Sequence, residues 1–221
     1  MPVLFSNRRE AGRLLGARVA LRGYDNPLVL GLPRGGVPVA LEVARAIHAP
    51  LDVFVVRKLG VPGHEELAMG AIASHGVRVL VPEIVTELGI PDETIDLVSD
   101  VEQRELERRE RAYRGARPPY ALEGVTAIVV DDGAATGASM IAAIRALRML
   151  RPAKIVAAAP VMSDRARAAL HREADACEAV VVPDPFYGVG SWYDDFTQTT
   201  DDEVRSLLAE AAERRVAEAV R

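Results

Sequence analysis

Residues 127–140 read Ala-Ile-Val-Val-Asp-Asp-Gly-Ala-Ala-Thr-Gly-Ala-Ser-Met, and this stretch constrains the chain more tightly than any other. The apolar run Ala127–Val130 has the character of a strand buried on both faces. It stops at two adjacent carboxylates, Asp131 and Asp132, and a loop of small residues follows from Gly133 to Ser139. An apolar-periodic helix then begins near Met140. A strand ending in two acids places charge at the carboxyl edge of a parallel sheet, where open α/β folds bind their ligands. Small residues let backbone N–H groups come close to an anion. The positive end of the following helix favours a phosphate, and Thr136 and Ser139 add hydroxyl donors. The two acids repel a phosphate; they suit sugar hydroxyls, which donate hydrogen bonds, or a divalent cation.

Four apolar residues, two acids and a small-residue loop with Thr136-Gly137 make a pattern that resembles the phosphoribosyl diphosphate (PRPP) signature of the type I phosphoribosyltransferases. The resemblance implies that the loop from Ala134 to Ser139, with Ala135, Thr136, Gly137 and Ala138 between them, holds a 5-phosphate, and it counts Gly133 among the substrate-binding residues. It also implies that Asp131 and Asp132 face the ribose. The family often has an apolar residue where Gly133 stands and Thr where Ser139 stands; neither change removes a needed donor.

The rest of the chain reads as alternating strands and helices. Ser6–Arg22 is a helix with Asn7 and Glu10 as a capping box, and Leu28–Leu32 is a buried strand. Val37–Ile47 is a helix, Leu51–Val56 a second strand, and Ala68–Ser74 with Val77–Val81 a pair of strands around Ser74-His75-Gly76. Asp92–Arg114 is a long charged helix. After the motif come a strand at Lys154–Ala159, a helix at Asp164–Glu173, a strand at Ala179–Val182 and a closing helix at Thr200–Ala219, capped by Thr200 and Glu203. Alternation of this kind predicts an α/β fold with a mainly parallel, Rossmann-like sheet covered on both faces. By resemblance a small hood and a helical insertion complete it. The expected organisation is one domain over 1–221, with a core at about 28–190, the insertion at about 90–117 and the C-terminal helix at about 200–219.

Two further strand-end loops suit an anionic ligand. Gly31-Leu32-Pro33-Arg34-Gly35-Gly36 offers N–H groups at Gly35 and Gly36 and a planar cation at Arg34; taken alone, a tight turn with a surface arginine fits equally well. It resembles the family's diphosphate loop, in which relatives often carry a cis non-proline peptide. Arg57-Lys58-Leu59-Gly60-Val61-Pro62-Gly63 follows the second strand. By similarity Lys58 and Arg57 contact diphosphate and Gly60–Glu66 forms a mobile flap, although a structural ion pair accounts for Arg57 equally well. Five aromatic residues, Phe186, Tyr187, Trp192, Tyr193 and Phe196, fall in one short stretch of a sequence that is only 5% aromatic. Phe186 is the candidate to stack on a flat acceptor, with Tyr187 second, whereas Trp192–Phe196 reads as structural packing.

Other properties narrow the function. The net charge of −5 carries no basic footprint for nucleic acid. The single cysteine, Cys177, leaves no disulfide within the chain and no multi-thiolate metal site. The histidines lack ligand spacing. No apolar run reaches the length of a membrane span, and a cytoplasmic protein is expected. The resemblance implies transfer of 5-phosphoribosyl from PRPP to a nitrogen acceptor with release of diphosphate. Arg34, Lys58, Asp131 and Asp132 are the catalytic candidates. Mg²⁺ is the implied cofactor, held mainly through PRPP and water, with Asp131 or Asp132 as the nearest protein ligand. A homodimer is the expected assembly. The alternative is a non-catalytic relative that senses PRPP or a nucleotide.

Overall fold

The computed structural model describes residues 4–115 and 117–219. Its centre is a five-stranded, wholly parallel sheet built from β1 (Pro27–Gly31), β2 (Leu51–Val53), β6 (Thr126–Val130), β7 (Lys154–Val161) and β8 (Ala176–Val181), in the order β2-β1-β6-β7-β8. Central position explains composition. Every residue of β6 is buried, because parallel strands between two helical layers meet apolar surface on both sides. Ile128 and Val130 pack on one face with α1 (Arg8–Ala20), α2 (Gly36–Ala46) and α7 (Asp201–Ala219). Ala127 and Val129 pack on the other with α5 (Ala138–Met149) and α6 (Asp164–Glu173). The period of two along the strand thus divides the core into two layers.

A second sheet stands apart, with three antiparallel strands in the order β3-β4-β5: β3 (Val56–Val61), β4 (His64–Ala73) and β5 (Val77–Leu80). Short α3 (Pro82–Glu87) and long α4 (Asp92–Arg114) follow it, and α4 crosses β3, β4 and α7. Buried Arg114, at the end of α4, donates to Asp52 on β2 at 2.9 Å and to the Val53 carbonyl at 2.8 Å. This pair ties the helix to the edge of the parallel sheet.

Several expectations need correction. The run Leu51–Val56 is not one strand: β2 stops at Val53, and the chain turns at Phe54 and Val55 into the second sheet. Phe54 donates to Gly31, and Val55 donates to the Ser74 hydroxyl instead of continuing the parallel ladder. Arg57 and Lys58 consequently lie in strand β3 rather than in a loop, and the Gly60–Glu66 flap is the tip of the β3–β4 hairpin, turning at Pro62-Gly63. Helix α3 escaped sequence reading because it is short and buries no residue. At α1 the capping box is half formed. Asn7 accepts from the Glu10 amide, but the Glu10 carboxylate bonds Ser6 rather than Asn7.

Candidate active site

The strand-end loops of β1 and β6 meet at the carboxyl edge of the parallel sheet. Leu32 donates to the Val130 carbonyl at 2.8 Å, extending the β1–β6 ladder into the loops. Two glycines permit the approach. A Cβ on Gly36 would lie 2.6 Å from the Val130 carbonyl and 2.9 Å from the Asp131 Cα. On Gly35 it would lie 2.1 Å from Asp132 Oδ2. The glycine loop and the acid pair are therefore in direct contact, an arrangement that larger side chains exclude. The Pro33–Arg34 peptide is cis.

The loop after the acids is anchored to the next strand. Ala134 donates to the Val161 carbonyl at 2.9 Å, Ser163 returns a bond to Ala134 at 2.9 Å, and the Ser163 hydroxyl holds the Ala135 carbonyl at 2.6 Å. Ala135, Thr136, Ala138 and Ser139 remain exposed. Gly137, with φ 77°, turns the chain into α5, so the loop amides lie at that helix's positive end. Asp131, Gly133 to Met140 and Val189 enclose a cavity of about 180 Å³. A neighbouring cavity of about 360 Å³, mostly apolar, lies between α5 and the antiparallel sheet, and Lys58, Ala138 and Ser139 all border it. A larger cavity of about 650 Å³ opens among the strand starts, lined by Asn26, Thr126 and Ala176. It lies at the opposite edge of the sheet and contains none of the glycine or acid loops.

The acids sit in an unusual electrostatic setting. Burial holds the Asp131 carboxyl well above the ordinary carboxylate range, and the adjacent Asp132 charge pushes the same way, against a hydrogen bond from the Asp132 amide. Asp132 is also raised by burial, with Arg8 opposing. Arg8 Nε lies 2.8 Å from Asp132 Oδ2. The Tyr193 hydroxyl donates to the Asp132 carbonyl at 2.6 Å. Sequence reading missed both partners. Its one available signal for Arg8 was a cation in the first turn of a helix, where the helix dipole disfavours it.

The structure therefore brings together Gly35, Gly36, Asp131, Asp132 and the loop 133–139, with Lys58 across the adjoining cavity. The remaining candidates have partners of their own. The Arg57 guanidinium is engaged by Glu102 of α4, and Arg34 stands 3.9 Å from Asp201 at the start of α7. Lys58 is exposed, its Nζ 3.2 Å from the Glu66 carbonyl. Phe186 packs against the cluster of Phe5, Val161 and Tyr193, while Tyr187 is exposed. Trp192–Phe196 is packing, as its sequence suggested: Tyr193 is buried between Phe5 and Phe196, with ring centroids 5.3 and 5.1 Å away. Partial burial pushes the Cys177 thiol up to about 11, which suits an unreactive, half-buried residue. Among the described residues no cluster of three or more His, Cys, Asp or Glu could cage a metal, and no helix is long and apolar enough to cross a membrane.

A parallel sheet between helices, an antiparallel hood and an acid pair followed by a small-residue loop define the fold of the type I phosphoribosyltransferases. The model of the phosphoribosyl transferase domain matches residues 7–190, and the chain belongs to that family. It is 45% identical over 216 residues to the Mycobacterium tuberculosis protein Rv0571c, whose phosphoribosyl transferase name is provisional. The match covers 98% of this chain and 48% of that one, so the chain spans about half the length of its curated relatives. The Thermus thermophilus protein TT1426 superposes with a TM-score of 0.84 at 42% identity, over 93% of this chain and 98% of that one. A Neisseria gonorrhoeae protein solved with bound ppGpp shares the fold at a TM-score of 0.50 and 12% identity, over 92% of each chain.

Proposed function

We propose that this protein binds PRPP at the carboxyl edge of its parallel sheet and transfers the phosphoribosyl group to a nitrogen acceptor, releasing diphosphate. The observation that carries the reading is the direct contact between the glycine loop 31–36 and the acids 131–132, with the 133–139 loop beside them. Each piece meets one part of PRPP. The amides at the start of α5, with Thr136 and Ser139, hold the 5-phosphate. Asp131 and Asp132 accept from the ribose hydroxyls. The amides of Gly35 and Gly36, with Arg34, receive the diphosphate, and Lys58 approaches it from the hood.

The chemistry asked of the protein is positioning and charge stabilisation. Departure of diphosphate leaves positive charge on the sugar ring and negative charge on the leaving group. The carboxylates lie on the side of the first, and the glycine-loop amides and cations on the side of the second. Asp131 and Asp132 are oxygen donors suited to Mg²⁺, and two carboxylates with no third metal-binding neighbour among the described residues fit an ion that keeps its waters and arrives with the diphosphate. When bound, Mg²⁺ supplies charge neutralisation of the diphosphate.

The acceptor is a nitrogen compound, most simply a nucleobase-like ring, seated below the hood. The test is an acceptor screen with PRPP, Mg²⁺ and a panel of purine, pyrimidine and other nitrogen heterocycles, reading diphosphate release. Release that depends on one acceptor class supports the transferase. Tight PRPP binding with no release for any acceptor converts the reading to a PRPP-sensing protein of the same fold, and failure to bind PRPP removes both.

A further inference from the structure

We infer that Arg8, in the first turn of the N-terminal helix, is a positioning residue of the sugar site: it seats the Asp132 carboxylate and balances its charge, so that the acid pair can receive a polyanionic sugar. This rests on the PRPP reading above. Arg8 reaches the site from 124 residues away in sequence, and three contacts fix its guanidinium. Nε lies 2.8 Å from Asp132 Oδ2. One terminal nitrogen donates to the Thr197 carbonyl at 2.7 Å. The guanidinium carbon stands 4.0 Å above the centre of the Phe196 ring. Such a stack suits a planar arginine and offers less to a lysine. The ion pair is largely shielded, with 11% of the Arg8 side chain and 16% of that of Asp132 exposed.

The seat itself is built from several segments. Phe196 stacks on Tyr193, Tyr193 packs on Phe5, and the Tyr193 hydroxyl holds the Asp132 main chain. Asp194 and Asp195 donate their amides to the Phe5 and Ser6 carbonyls, which fixes the chain just before Arg8. The aromatic stretch near 193–196 thus acts on the acid pair through Arg8 as well as through packing. Asp132 Oδ2 is committed to Arg8 and fills the space that a side chain on Gly35 would take. A sugar hydroxyl is therefore received by Oδ1. Charge gives the second reason. A ligand with a phosphate at one end and a diphosphate at the other is repelled by two adjacent carboxylates, and one fixed guanidinium cancels one of them.

The test compares three ligands by calorimetry on the whole protein: PRPP with Mg²⁺, ribose 5-phosphate, and inorganic phosphate. Arg8→Ala is expected to weaken both sugar ligands about tenfold or more, the usual scale for losing a charged hydrogen bond. Inorganic phosphate reports on the phosphate-binding loops without the sugar between them and should bind Arg8→Ala as it binds the wild type. Arg8→Lys, which keeps the charge but gives up the planar stack and the second hydrogen bond, is expected to bind both sugar ligands better than Arg8→Ala and less well than wild type. Equal loss of all three ligands in Arg8→Ala, or no loss of any, overturns the role of Arg8, as does an Arg8→Lys variant no better than Arg8→Ala. A wild-type protein that binds neither sugar ligand overturns the PRPP reading itself, and is told apart because the failure then precedes any substitution.

Discussion

At the scale of single residues, the acid pair is a stability cost retained at the site. Asp131 is held above the ordinary carboxylate range by burial and by the charge beside it. A carboxyl whose pKa is higher in the folded than in the unfolded chain binds more protons when folded. Stability then falls as pH rises from the unfolded carboxylate range through the raised folded value, and recovers on acidification. Asp131→Asn removes that penalty. In metal-free buffer at neutral pH the variant is expected to melt higher than wild type, by about 2–4 °C for each kcal/mol relieved, and its stability should vary less with pH across the same window. Denaturant titrations at several pH values check this; a lower melting point for Asp131→Asn would count against a buried, strained charge. The same variant should lose affinity for PRPP, the trade of stability against function that such sites show.

At the scale of elements, α4 and the β3–β4 hairpin set what faces the site. Arg114 and Asp52 are 8% and 7% exposed and bind each other at 2.9 Å. Arg114→Met leaves Asp52 buried without its cation, and a loss of about 3–5 kcal/mol is expected by chemical denaturation; a change under about 1 kcal/mol would mean water replaces the guanidinium. Lys58, exposed on β3, has the opposite character. Lys58→Ala should leave stability and PRPP affinity close to wild type while lowering turnover about a hundredfold, measured as diphosphate release once an acceptor is found. Wild-type turnover would remove Lys58 from the reaction. The elements also show how far sequence carries. Helix α4 was readable to its ends, and the motif strand, α6 and α7 to within a residue or two, because each has a strong period or a cap. The break after Val53 was not, since Leu51–Val56 is largely apolar and β-branched, and the partner that takes Val55 away from the parallel ladder is Ser74, 19 residues away, through its hydroxyl and its backbone amide. Arg8 on Asp132 was likewise invisible: a pair 124 residues apart leaves no local pattern.

At the scale of the whole molecule, the proposed sugar site is shared among segments that the sheet brings to one edge, so damage at two of them should compound. Asp132→Asn combined with Thr136→Ala removes a carboxylate from the ribose position and a hydroxyl from the phosphate loop. The pair is expected to abolish detectable PRPP binding by calorimetry with Mg²⁺ present, and unchanged affinity would refute the assignment of both. The topology carries one more consequence. Between Val53 and Thr126 the backbone departs from the parallel layer and comes back, and the antiparallel strands, α3 and α4 all lie on that excursion. The chain leaves from the end of β2 and returns at the start of β6, on either side of β1 and at opposite edges of the sheet, and the excursion adds no strand to the parallel layer. The hood is in this sense a cassette: a lineage that exchanged it would alter what faces the site, Lys58 included, while the glycine and acid loops at the edge of the parallel sheet stayed in place.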